Sequence, residues 1–156
     1  MLVLFCFFTI VRTYEGGESS ELSFPMVHRD CIGPGMIALT YDDGPNMYTK
    51  KFLDNLSVDY PVTLYVNGWN YENMQNDPWH SVIKLAYERG HEIGNHGWNH
   101  WSYTNAATMN NNKIKHDLDD SEILQQLTSV NDLLYKIIGK APAIFRPPYG
   151  QYNENT

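Results

Sequence analysis

Three short apolar runs in this chain are each followed at once by polar residues of catalytic or ligating type, and this coincidence constrains the fold more than any other feature. Met36-Ile-Ala-Leu-Thr-Tyr41 ends in Asp42-Asp43-Gly44-Pro45, His91-Glu-Ile-Gly94 leads into His96 and His100, and Ala143-Ile-Phe145 precedes Arg146-Pro-Pro-Tyr149-Gly150. A fourth run, Val62-Thr-Leu-Tyr-Val66, is closed by Asn67-Gly68. Stretches of helical spacing lie between the runs. Tyr48 to Val58 is one, and Trp79 to Arg89 is another, with Val82, Ile83, Leu85 and Ala86 on one stripe and Gly90 as its stop. A third helix starts from Asp119 or Asp120 and continues to about Ile138, placing Ile123, Leu124, Leu127, Val130, Leu133, Leu134 and Ile137 on one face before Gly139. Tyr103 to His116, with Asn110, Asn111 and Asn112 in a row, has no period and reads as a surface loop. Strand and helix in alternation predict an α/β fold with parallel strands and chemistry at their C-terminal ends.

Taken singly, each polar cluster has a plain reading. Adjacent aspartates before Gly-Pro make a solvated turn, two histidines four apart arise by chance in a chain with six, and an arginine before two prolines is a surface charge. Their weight comes from occupying equivalent places, the rim where parallel α/β folds carry their sites. Two neutral imidazoles and one carboxylate leave open positions on a divalent ion, which metal-assisted hydrolysis requires. One aspartate could bind the ion while the other takes a proton from the attacking water. An arginine beside such a base would orient it, since an opposite charge within a few ångströms favours the carboxylate form.

The 156 residues suffice for one domain with its own core. Eleven Lys and Arg against eighteen Asp and Glu give a net charge of −7, with no basic stripe to neutralise phosphates, so nucleic acid is excluded as a partner. Met1 to Val11 is almost wholly apolar yet about half the roughly 20 residues a membrane-spanning helix needs. It reads as the apolar part of a signal peptide, with no stable membrane span, and Tyr14 to Ser23 reads as a linker. The expected division is a leader and linker over 1–24, a catalytic-type domain over 25–156, and a secreted or cell-wall protein.

Thr40-Tyr-Asp-Asp-Gly-Pro45, His96-Gly-Trp-Asn-His100 and Phe145-Arg-Pro-Pro-Tyr-Gly150 resemble, in order, the first three motifs of the polysaccharide deacetylases (carbohydrate esterase family 4, the NodB homology domain). Val62 to Gly68 and Gly90 to His96 are similar to the stretches that flank those motifs, so the likeness runs from about Ile37 to Gly150. The resemblance implies a distorted (β/α) barrel. It implies Asp42 as general base, Asp43, His96 and His100 as ligands of a divalent ion (zinc, or cobalt), and Arg146 as the group that orients Asp42. The backbone amide of Tyr149 would help bind the oxyanion. The implied reaction removes N-acetyl groups from N-acetylglucosamine units of chitin or a related glycan. Trp98 and Trp101 have two readings, as sugar platforms flanking the groove or as core residues.

The chain departs from the family pattern in several places. Gly97 stands where the family has Ser or Thr, and loss of such support around a metal typically costs about 10 to 100-fold in affinity. Asn99 replaces a small hydroxyl residue, and the loop from Tyr103 to Asp119 is longer than usual. The family's later Asp-Trp and Leu-x-His motifs do not occur before Thr156, so the last barrel strands and the histidine general acid are not in this chain. Absence of a general acid typically costs about 10² to 10⁴ in rate. The resulting expectations are a metal-dependent N-deacetylase or, alternatively, an inactive deacetylase-like protein that binds glycan or associates with the cell wall.

Overall fold

The structure, a computed structural model, describes residues 9–11, 26–28, 31, 34–57, 59–104, 108–110, 113–115 and 118–152. In chain order the elements are β1 (Thr9–Val11), β2 (Met26–His28), β3 (Thr40–Gly44), α1 (Thr49–Asn55), β4 (Thr63–Val66), α2 (Trp79–Glu88) and β5 (Glu92–Asn95). They are followed by β6 (Thr108–Asn110), β7 (Lys113–Lys115), α3 (Asp120–Ile138), β8 (Ile144–Phe145) and a 3₁₀ turn at Pro148–Gly150. Four strands form the expected parallel array, β3 beside β4, β4 beside β5 and β5 beside β8, with Leu64 opposite Ile93. The full order is β2-β1-β8-β5-β4-β3, an open six-stranded sheet among the described residues rather than a closed barrel.

The core lies between this sheet and its helices. Alternation in β4 sends Leu64 and Val66 to the helix layer, where they meet Leu53 of α1, Val82, Ile83 and Ala86 of α2, and Val130, Leu133, Leu134 and Ile137 of α3. Fully burying side chains of this size contributes about 1.5–3 kcal/mol each. Helix α3 is set by its ends. Asp119 accepts the Glu122 N–H while Glu122 accepts the Asp119 N–H, a reciprocal cap, and Gly139 ends the helix in left-handed backbone with φ 74°. Its apolar face differs from expectation at two positions: Leu124 is 61% exposed, whereas the polar Gln126 is only 7% exposed. The rest of the stripe is buried as expected, or half-buried at Leu127, and the bonds of Gln126 to the half-buried Asn99 account for its place inside.

Three further differences appear. β3 begins only at Thr40, because sheet pairing starts there, opposite Thr63, and Met36 and Ile37 stand in solvent. The stretch expected as a surface loop holds an antiparallel strand pair, with Thr108 opposite Lys115 and Asn110 opposite Lys113. Thr9–Val11, within the stretch expected as leader, pairs Ile10 with Phe145 of β8 and with Val27 of β2. The other residues of the expected leader and linker lie outside the described residues. No helix is long and apolar enough to cross a membrane among the described residues.

Candidate active site

The two aspartates are consecutive on a strand, where alternation would send their side chains to opposite faces. A register shift resolves this: Tyr41 pairs with Leu64 but Gly44 with Val66, so β3 carries an extra residue as a bulge, and Asp43 adopts left-handed backbone with φ 70°. Both carboxylates therefore line one cleft. Asp42 Oδ1 accepts an N–H from Arg146 at 2.6 Å. Asp43 Oδ1 lies 3.1 Å from His100 Nε2 and 3.4 Å from His96 Nε2.

His96 follows β5 directly, its N–H bonded to the Val66 carbonyl, and Arg146 follows β8 with its N–H on the Asn95 carbonyl. The His96 ring nitrogen Nδ1 is 2.7 Å from the Arg146 carbonyl oxygen. A carbonyl only accepts, so Nδ1 is the donor, which in the neutral ring leaves the Nε2 lone pair facing the cleft. Arg146 is 4% exposed, donates also to Thr40 Oγ1, and lies with its guanidinium carbon 4.0 Å from the centre of the Tyr65 ring. Tyr65 reaches this face because it alternates with Leu64 and Val66, and it needs Gly94 on β5: a Cβ there would come within 2.6 Å of the tyrosine ring. In the sequence Tyr65 looks like an ordinary member of the apolar run Val62–Val66, and only its odd place in the alternation marks it.

All six residues singled out from the sequence line one cleft of about 380 Å³: Asp42, Asp43, His96, His100, Arg146 and Tyr149. Tyr149 packs its ring edge-on against His100, with centroids 4.6 Å apart. Trp98 and Trp101 are not part of this lining; they face a separate cavity of about 630 Å³ beside α3, and Trp98 also packs against the core. Among the described residues, the non-glycine residues with positive φ are Asp43, His100 and Tyr149. Such backbone costs roughly 1–3 kcal/mol each and gathers where a site demands it.

The electrostatics suit a cation. Burial pushes the Asp43 carboxyl up, and the imidazoles of His96 and His100 more than reverse it, so the group titrates below its ordinary range. Burial is also the main reason that His100 titrates below the ordinary imidazole value, outweighing the attraction of Asp43. Both shifts favour the forms that ligate metal, carboxylate and neutral imidazole. Asp43 Oδ1 is buried with no hydrogen-bond partner among the described residues, and one donor atom from each of Asp43, His96 and His100 fits within 4.8 Å of the others. An orphaned buried carboxylate oxygen facing two imidazole nitrogens is the donor set of a divalent-metal site.

The glycine between the histidine and Trp98 has a structural cause. Gly97 has φ 79°, and a Cβ on it would lie 2.3 Å from the Tyr103 hydroxyl. Tyr103 thus fills the space of the side chain that Gly97 lacks. Its hydroxyl is buried without a hydrogen-bond partner among the described residues, and burial pushes the phenol up.

The C-terminal ends of the parallel strands thus deliver a held aspartate and an Asp/His/His cluster able to hold an ion into one cleft, where parallel α/β folds carry their sites. The sequence profile of the polysaccharide deacetylase family matches residues 29–156, and the chain belongs to that family. It is 36% identical over 124 residues to a chitin deacetylase of a Pestalotiopsis species, covering 79% of this chain and 37% of that protein. It is 34% identical over 121 residues to a peptidoglycan-N-acetylglucosamine deacetylase of Bacillus cereus, covering 76% and 38%. The solved chitin deacetylase of Colletotrichum lindemuthianum superposes with a TM-score of 0.70 at 29% identity, over 80% of this chain and 50% of that one. The chain therefore spans 37% and 38% of the length of these two curated relatives and half of the solved chain.

Proposed function

We propose that this chain catalyses metal-dependent removal of N-acetyl groups from a polysaccharide, chitin or a related N-acetylglucosamine polymer. The observation that carries this reading is the buried, unpartnered Asp43 oxygen facing His96 and His100, next to an aspartate gripped by Arg146. Asp43, His96 and His100 would hold the ion; two imidazoles and one carboxylate suit zinc, and cobalt accepts the same ligands. When bound, such an ion supplies Lewis-acid activation for hydrolysis of an amide. Asp42, fixed by Arg146, takes the proton of the attacking water on its carboxylate. The backbone N–H of Tyr149 stabilises the oxyanion that develops on the acetyl carbonyl. The products are acetate and a free amine on the sugar. The similarity to chitin and peptidoglycan deacetylases supports this choice of substrate class.

One observation favours a second reading, glycan binding without turnover. Among the described residues lining the cleft, those assigned to the ion, the base and its arginine leave no further imidazole or carboxyl to protonate the leaving amine. Acetate release from N-acetylchitooligosaccharides and from peptidoglycan, by the zinc-loaded chain, separates the two: release supports the deacetylase, and binding without acetate supports the second reading. A secreted or cell-wall location, with leader and linker over 1–24 and the domain over 25–156, accords with the apolar Met1–Val11 and a polymeric substrate. N-terminal mass analysis of the protein from the culture medium tests that division, since cleavage would remove β1 from the edge of β8.

A further inference from the structure

We propose that Gln126, on helix α3, is a positioning residue that sets the conformation of the loop from His96 to His100 and thereby the aim of His100; the inference rests on reading Asp43, His96 and His100 as the metal site. Gln126 sits on the apolar face of α3 between Ile123 and Val130 and is 7% exposed. A buried primary amide needs partners for both its ends. Gln126 Oε1 accepts the backbone N–H of Asn99 at 2.8 Å, and Nε2 donates to Asn99 Oδ1 at 3.2 Å, a two-point clamp on the residue immediately before His100. His100 is held in left-handed backbone, φ 56°, a conformation that persists only where its surroundings over-determine it.

The first half of the loop is fixed from the sheet. Asn67 Nδ2 donates to the carbonyls of His96 and Gly97 at 2.6 and 2.9 Å, and Asn95 Oδ1 accepts the Gly97 N–H at 2.7 Å. The Asn67 and Asn95 bonds reach as far as Gly97, and past it the Trp69 N–H donates to the Trp98 carbonyl at 2.7 Å while Asn99 Nδ2 donates to the Trp69 carbonyl at 3.3 Å. From the opposite side, Gln126 is the buried side chain of α3 that holds the Asn99 N–H, and it does so without lining the cleft itself. Asn95 is in turn tied to α3 through the Leu127 carbonyl and Asn131, so the helix and the ligand loop form one hydrogen-bonded unit.

The experiment compares the full chain with its Gln126→Met variant, which keeps the length of the side chain and removes both bonds. Zinc affinity is read by competition with a chromophoric chelator, ligand geometry by the visible absorption of the cobalt-loaded protein, and loop order by hydrogen exchange of the metal-free chain. The proposal expects Kd for zinc to rise about 10 to 100-fold, as for loss of other supporting contacts around a metal. It also expects an altered cobalt spectrum and faster exchange at the Asn99 amide. A glutamine that served only the core would lower the melting temperature and leave affinity, spectrum and local exchange unchanged, and that result overturns the proposal. If Gln126→Met does not fold, Gln126→Asn, one methylene too short for the clamp, is read with the same two outcomes. A parent chain that binds no zinc sinks the metal reading instead, and the exchange comparison still decides whether Gln126 orders the loop.

Discussion

The histidine wall of the cleft grows out of the interior of the sheet, whereas the aspartate wall hangs on its edge. His96 follows β5, a strand flanked by β4 and β8, and its side chain is 3% exposed, with its Nδ1, its carbonyl and the next N–H all engaged. Asp42 and Asp43 lie in a bulge of the edge strand β3, their side chains 35% and 37% exposed, with Arg146 as the main clamp on Asp42. The difference separates two tasks. On the proposed reading, the imidazole nitrogens are already placed for an ion, so little ordering cost would remain for binding, while the carboxylate assigned to water and substrate stays at the accessible rim.

The sharpest way to break this contrast is His96→Ala. The parent should gain about 2.7 kcal/mol at a zinc concentration a hundred times its Kd, and the variant should gain nothing. The metal-free variant should also lose about 1–3 kcal/mol, because the Arg146 carbonyl loses its buried donor. Thermal unfolding with and without zinc measures both, and equal losses for Asp43→Ala in the metal-free protein would erase the distinction between the walls.

Within the aspartate wall, Asp42→Asn should lower turnover by about 10² to 10⁴ and leave the zinc Kd nearly unchanged. Asp43→Asn should weaken zinc binding. Acetate release and chelator competition read the pair, and identical behaviour would collapse the division of roles between base and ligand.

Gly97→Ser tests the histidine wall from the side of Tyr103. A hydroxyl residue there supports the ligands in the resembling family, yet here its Cβ would meet the Tyr103 hydroxyl in left-handed backbone. The substitution should destabilise the chain by about 2 kcal/mol or more. Tyr103→Phe, which removes a buried hydroxyl with no partner among the described residues, should be neutral or slightly stabilising and should relieve part of the Gly97→Ser penalty. A strictly additive double mutant would show that the two sites do not touch.

The smallest effect is the pH response of the metal-free chain. His100 titrates below 6.5 in the folded state, so the unfolded chain binds more protons and stability falls as pH drops from that value through the folded pKa. Asp43 titrates below 3.8, and its contribution, present above that value, is lost only as pH falls through its own lower folded pKa. Denaturant midpoints should therefore begin to decline as pH drops below 6.5 and decline further below 3.8, and His100→Gln should remove the decline that begins at 6.5.

Much of this was readable in advance because the relevant signals are local. An apolar run ending in Asp-Asp-Gly-Pro announces a strand and what it delivers, and Asp119 with Gly139 marks both ends of α3. What escaped depends on contacts distant in the chain. A glutamine among apolar helix positions reads as a solvated face, and only the loop 27 residues away shows why Gln126 is inside while Leu124 is out. The strand pair of β6 and β7 has too few residues for a period to emerge, and the bulge that turns both aspartates to one side is visible only against the partner strand.

The placement of Tyr65 has a consequence of its own. Its ring supports Arg146 only because residues 64 and 66 face the opposite layer, so the floor of the cleft is written in the parity of a four-residue strand. Deleting one residue ahead of Tyr65 within β4 would leave the overall hydrophobicity of the strand almost untouched. It would nevertheless put an aliphatic side chain beneath the guanidinium and drive a phenol into the helix layer, so the site would fail by a frame error rather than by the loss of any reactive group.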